Sequence, residues 1–135
     1  KSKTSKRNSF TDWLLEQYNL KKDIKVFEDI LFNPLCMNSL CEMIELVAQQ
    51  KIKGIFNLGS HEGMSKADFS FYFAKALNLT TSNLTKVSIS NNKFLTAYRP
   101  RNMIMDLSMF EDRFKVKLPK LTEEIVLASK QYLND

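Results

Sequence analysis

The sequence predicts an α/β fold that is short of strands, and three observations carry that reading. Residues 53–69 read as a strand, a turn and the start of a capped helix, which is one crossover of an α/β protein. Strand-like and helix-like stretches alternate along all 135 residues, which argues for at least some parallel pairing. Only three or four stretches suit strands, all of them short, against four or five helices. A parallel sheet wants both faces covered. The expectation is therefore a single lobe over residues 1–135, part of a longer chain, and a first residue that is Lys1 rather than Met fits it.

The central unit opens at Gly54. Ile55, Phe56 and Leu58 make a short apolar run suited to a buried strand. Gly59 and Gly63 bracket the turn, where a missing Cβ makes positive φ cheap. Ser65 and Asp68 stand at the spacing of a near capping box. Phe69, Tyr72, Phe73, Ala76 and Leu77 then recur at helical spacing to about residue 79.

The other elements follow in order. Residues 1–8 read as loop. Ser9 and Asp12 start an amphipathic helix that carries Phe10, Trp13, Leu14 and Tyr18 to about residue 20. A polar break at 21–23 leads to a strand at 24–28. Residues 29–34 are loop, with Asn33-Pro34 marking the turn. A helix spans 37–50, capped by Asn38 or Ser39, with Leu40, Met43, Ile44, Leu46 and Val47 inward. After the central unit and a polar turn at 80–83, residues 85–90 alternate as a strand, and 91–100 form a loop. A third strand is expected at 102–106. Ser108 and Glu111 spell a capping box for a short helix to about 113. Leu118-Pro119 breaks the chain before a last helix at 122–132, whose inward residues are Leu121, Ile125, Val126 and Leu133.

Composition narrows the function. The chain is 44% apolar and 26% charged, which suits a globular domain and not a disordered one. No apolar run reaches membrane-span length, and no signal peptide is visible. Cys36 and Cys41 match no zinc or redox spacing, and His61 is the one histidine, so no zinc site is expected. Both cysteines read as small core or boundary residues of a reducing compartment, the cytoplasm. Of the net charge of +5, Lys1, Lys3, Lys6 and Arg7 supply four with no acid among them, leaving +1 for the rest. That pattern suits a solvated terminal segment first and a phosphate contact second. A nucleic-acid binder would instead show a basic face interleaved with aromatic residues.

Few residues look chemical. The Gly59-x-x-x-Gly63 spacing fits neither a dinucleotide fingerprint nor a P-loop. His61 reads as a surface turn residue, and Asp106 and Glu111 as helix-start residues. Tyr18 and Lys22 match the letters Tyr-x-x-x-Lys, yet Lys22 lies past the end of the helix that carries Tyr18. The informative cluster is Tyr98-Arg99-Pro100-Arg101-Asn102, where two guanidiniums flank a rigid proline before a strand. Arginine suits bidentate recognition of phosphate or carboxylate.

Four segments in order resemble the C-terminal part of extended short-chain dehydrogenases/reductases. They are residues 52–58, the Met64-Ser65-Lys66 helix start, Tyr98-Arg99-Pro100-Arg101-Asn102, and Asp106-Leu107-Ser108 leading to Leu118-Pro119. The likeness covers roughly residues 32–125, and it is greatest to the dTDP-4-dehydrorhamnose reductase group. Ser39 stands where that family usually has Asp. The resemblance implies a substrate-binding lobe for a nucleotide-diphosphate sugar, in a parent that reduces a 4-keto sugar with NAD(P). The parent's Rossmann half, with its glycine fingerprint and catalytic Tyr-x-x-x-Lys, is not in this sequence. The fragment therefore implies no cofactor site and no catalytic residue of its own, and residues 54–58 would normally join the main sheet of that half. Arg99 matches the place of a pyrophosphate contact; Arg101, Asn33, Lys6 and Arg7 are the further substrate-binding expectations. A homodimer is compatible with the resemblance. It also admits a second reading, a non-catalytic regulatory subunit like the methionine adenosyltransferase β subunit. An exposed apolar patch is expected where the absent half would dock.

Overall fold

A computed structural model describes residues 8–91 and 100–133. Its elements are α1 (Phe10–Asn19), β1 (Ile24–Phe27), β2 (Leu31–Phe32), α2 (Met37–Ala48), β3 (Met64–Ser65), α3 (Lys66–Ala76), β4 (Leu84–Val87), a 3-10 turn (Ile89–Asn91), β5 (Asn102–Met103), α4 (Ser108–Phe114) and α5 (Leu121–Leu133). The α/β class, the short strands and the five helices agree with the sequence reading.

The strands form two small sheets. β1 and β4 pair in parallel, with Ile24 opposite Leu84 and Phe27 opposite Val87. β2 lies between β3, antiparallel to it, and β5, parallel to it. The principal core gathers Leu14 of α1, Ile24 and Val26 of β1, Phe69 and Phe73 of α3, Leu84 of β4, and Leu121 and Ile125 of α5. Phe73 is fully enclosed, and burying a side chain of that size contributes about 1.5–3 kcal/mol. A second cluster joins Leu107, Phe110, Phe114 and Leu118 to Met43, Leu46 and Val47 of α2 and to Ile52, Phe56 and Leu58.

Local signals held where the chain needs no distant partner. Ser9 Oγ accepts from the Asp12 N–H at 3.0 Å, and the Asp12 carboxylate returns to the Ser9 N–H at 3.4 Å, closing a capping box on α1. Ser65 Oγ accepts from the Asp68 N–H at 3.0 Å. The Asp68 carboxylate accepts from the Lys86 ammonium at 2.7 Å and from the Ser65 hydroxyl at 2.7 Å, and these bonds, that of Lys86 first, hold its pKa down.

Several expectations change. Residues 29–34 contain β2, a strand of two residues that exists because β3 and β5 flank it. The strand expected at 85–90 ends at Val87, and that at 102–106 ends at Met103. Residues 54–58 form no ladder. Phe56 and Leu58 pack on the second cluster while Ile55 is 93% exposed, so the segment has a strand's alternation and no strand beside it among the described residues. The turn takes its left-handed residue from Glu62, with φ 57°, rather than from Gly59 or Gly63. Those two glycines serve close approach: a Cβ at Gly59 would stand 2.6 Å from the Asn33 carbonyl oxygen, and one at Gly63 2.8 Å from Ile104. Ile44, Tyr72, Val126 and Leu133 face solvent instead of the core.

Two caps also differ. Neither Asn38 nor Ser39 caps α2; Cys36 is its N-cap and makes no side-chain cap bond. The buried Glu124 of α5 reaches across instead, accepting from the Cys36 N–H and, at 2.7 Å, from the Ser39 hydroxyl. The α4 capping box is absent, because Glu111 turns away from Ser108 toward Leu118 and His61.

Candidate functional site

The carboxyl end of the β1–β4 pair is where a polar cluster assembles. In parallel α/β sheets, side chains just past the strand ends converge on one edge, and ligands favour that edge. Asp29 follows β1, and Ser88 to Ser90 follow β4. Asp29 Oδ2 accepts from the Ser88 hydroxyl at 2.6 Å, and Oδ1 from the Ile89 N–H at 2.9 Å. These bonds, the Ser88 hydroxyl first, hold the Asp29 pKa below the ordinary carboxylate range. Ser88 Oγ also accepts from the Ser90 N–H at 3.2 Å, which tightens the turn.

Arg101 enters this cluster from the start of β5. Its backbone carbonyl accepts from the Leu31 N–H at 2.7 Å, which sets it beside β2. Its Nη2 donates to Ser90 Oγ at 2.6 Å, and Nη1 lies 3.8 Å from Asp29 Oδ2. The Arg101 side chain is 60% exposed and that of Asp29 only 21%, so the cation stands in front of the carboxylate.

Asn33 occupies a different place. It is 3% exposed, and its amide joins three loops. Nδ2 donates to the carbonyls of Ser60 at 3.0 Å and Met105 at 3.1 Å, while Oδ1 accepts from the Met105 N–H at 3.0 Å. Its own carbonyl accepts from the Ser60 N–H at 2.9 Å. Both amide donors are in use, so this side chain sets the positions of the loops. The expectations at Arg99, Lys6 and Arg7 lie outside the described residues.

The glycine turn is fastened on its other side. His61 Nε2 donates to Glu111 Oε1 at 2.7 Å, and the same oxygen accepts from the Leu118 N–H at 2.7 Å. The Leu118 bond, then the His61 bond, lower the Glu111 pKa. His61 also exchanges backbone bonds with the 119–121 segment, donating to the Pro119 carbonyl and accepting from the Leu121 N–H. It is thus a tied turn residue, and Glu111, in the first turn of α4, also connects that helix to the glycine turn. Asp106 does act at a helix start, accepting from the Ser108 N–H at 2.9 Å.

A groove of about 690 Å³ runs between the first turns of α1 and α2 and the side of α5 that carries Glu124, Ala128 and Gln131. Its polar members bond to one another: Thr11 with Tyr132, Tyr132 with Asp12, and Gln131 with Asn38. Among the described residues no group of three or more His, Cys, Asp or Glu could hold a metal ion. Among them, too, no helix is long and apolar enough to cross a membrane.

Sequence reasoning reached Arg101 and missed Asp29, Ser88 and Ser90. The parallel register that places Phe27 beside Val87 is what brings Asp29 to Ser88, and no short spacing reports a contact across 59 residues.

Several solved structures share the fold, three dTDP-4-dehydrorhamnose reductases among them. The dTDP-4-dehydrorhamnose reductase of Bacillus anthracis, solved with NADP, superposes with a TM-score of 0.83 at 18% identity, over 97% of this chain and 45% of its own. The reductase of Yersinia enterocolitica gives 0.81 at 17% identity, over 93% and 44%. That of Clostridium acetobutylicum gives 0.80 at 17% identity, over 96% and 46%. The chain therefore spans less than half the length of these relatives. No curated protein sequence matches it. A family profile does match, over residues 4–134, and the chain accordingly belongs to the RmlD substrate binding domain family.

Proposed function

We propose that the chain is the substrate-binding lobe of an NAD(P)-dependent nucleotide-sugar reductase that reduces a 4-keto sugar. The observation that carries this reading is the family match over residues 4–134. The fold shared with dTDP-4-dehydrorhamnose reductases supports it. In this reading Arg99 and Arg101 face the diphosphate, with Lys6 and Arg7 adding charge beside it. Asn33 acts through the loops it joins. NAD(P)H, bound by the parent's Rossmann half, supplies the hydride, and this lobe orients the sugar without taking part in the transfer.

The unpaired segment supports the same reading. Residues 55–58 alternate outward and inward as a strand does, yet lack a neighbouring strand among the described residues. Ile44, Ile55 and Met109, on or beside the elements of the second cluster, are exposed. A Rossmann half supplying one adjacent strand would pair that backbone and cover those side chains.

Calorimetric titration of the chain with dTDP, and with thymidine as the control lacking phosphates, tests the reading. The expected result is saturable binding of dTDP, weaker binding of thymidine, and a loss of dTDP affinity in Arg99→Ala. Equal binding of dTDP and thymidine, or no saturation with dTDP at millimolar concentration, would sink it.

A further inference from the structure

We propose that Asp29 is a positioning residue for ligand binding, holding the Arg101 guanidinium at the carboxyl end of the β1–β4 pair so that it meets a phosphate group. The inference rests on the nucleotide-sugar reading and adds a residue to it.

The geometry describes a relay. Asp29 is bonded to the Ser88 hydroxyl at 2.6 Å and the Ile89 N–H at 2.9 Å, which fixes the turn after β4. That turn presents Ser90 Oγ, which accepts from Arg101 Nη2 at 2.6 Å. The Asp29 carboxylate also lies 3.8 Å from Arg101 Nη1. Asp29 thus acts twice, through the turn and by its own charge. A long, exposed side chain otherwise samples many rotamers, and the entropy of fixing it weakens any contact it makes. An arginine already oriented forfeits less on binding.

The exposure shows which way the cation is offered. With 60% of its side chain in solvent, Arg101 is not buried by the network that holds it. A guanidinium has five N–H donors in a planar fork, and Ser90 takes one of them. The remaining donors suit the paired oxygens of a phosphate.

The competing role for Asp29 is that of a simple counter-charge, and the two roles predict opposite signs. A counter-charge repels an incoming diphosphate, so its removal tightens binding. A positioning residue loosens binding when removed. Asp29→Asn is the informative variant: its amide can still accept from the Ile89 N–H and meet the Ser88 hydroxyl, which preserves the turn and removes the charge.

The test combines dTDP titration with the NMR signal of the Arg101 Nε–H, recorded with and without dTDP. In Asp29→Asn the expected results are a roughly three- to fivefold loss of dTDP affinity, of the order of one well-placed exposed ion pair, and faster exchange of the Arg101 Nε–H without ligand. Arg101→Ala should lose affinity at least as strongly. Unchanged or tighter dTDP binding in Asp29→Asn, or an unaltered Arg101 signal, overturns the inference. If Arg99→Ala abolishes binding while Asp29→Asn and Arg101→Ala leave it intact, this inference falls and the nucleotide-sugar reading stands. If the wild-type chain binds no dTDP, both fall.

Discussion

Replacing Glu124 by alanine removes the acceptor on which the first turn of α2 depends. The carboxylate is 4% exposed and takes two donors, the Cys36 N–H and the Ser39 hydroxyl at 2.7 Å. A hydrogen bond to a charged partner contributes about 1.5–3 kcal/mol when its loss leaves a buried group unsatisfied. The lower end applies here, because Glu124 lines an open groove through which water reaches the vacated position. A negative charge at a helix N-terminus adds roughly 0.5 kcal/mol. The expected cost of Glu124→Ala is therefore about 3.5 kcal/mol, or roughly 12 °C in melting temperature for a domain of this size. Glu124→Gln retains the volume and one acceptor, and should cost about 1 kcal/mol. Urea unfolding at neutral pH, followed by circular dichroism, measures both. Ser39→Ala, alone and combined with Glu124→Ala, completes a cycle in which the two losses should fall short of additive. A Glu124→Ala protein within about 0.5 kcal/mol of wild type, the range of ordinary surface changes, would refute the view that α5 caps α2.

Two further predictions concern the glycine turn. Glu111 has a lowered pKa in the folded state, held by the Leu118 N–H and His61. It therefore contributes stability above the unfolded carboxylate pKa, and that contribution is lost as pH falls through the lower folded value. Urea midpoints measured from neutral pH to below roughly pH 4, the region where a free glutamate titrates, should fall more steeply for wild type than for Glu111→Gln; parallel curves would contradict the assignment. Gly59→Ala drives a Cβ to 2.6 Å from the Asn33 carbonyl oxygen, a backbone atom that cannot step aside alone. It should cost about 2–3 kcal/mol, the upper range of overpacking. Gly63→Ala meets chiefly the Ile104 side chain, which can move, and should cost less; the reverse order of the two midpoints would count against this account.

What the sequence disclosed follows from the range of the forces involved. Ser9 with Asp12 and Ser65 with Asp68 are legible because a cap is satisfied within four residues. β1 is legible from its own alternation, and its exposure pattern confirms it. β2 is not, since two residues become a strand only when the partners of Phe32 in β3 and β5, Met64 and Met103, arrive from 32 and 71 residues away. The Ser108-x-x-Glu111 pattern is locally sound and still fails. Glu111 has a competing offer from Leu118 and His61, and a carboxylate cannot serve both ends. Asn33 stands out in the sequence by its proline neighbour, but its link to Met105 spans 72 residues. At the candidate site the arginines announce themselves by residue type, whereas Asp29 becomes visible only after the β1–β4 register is known.

The segment 52–58 has a consequence for the chain's behaviour during synthesis and storage. A stretch with no neighbouring strand among the described residues is a template open to any chain that offers matching backbone, another copy in a partly folded state included. Ile55, almost fully exposed, makes that template adhesive. Lys51 and Lys53 stand on its approach, both exposed, and charges in those positions act as gatekeepers against stacking of like segments. The same two lysines leave Ile55 and the backbone beyond it accessible to a partner that arrives already folded. Protection from self-association and readiness for a complementary sheet edge thus lie within five residues, and concentration and salt, which screens the lysines, would shift the balance between them.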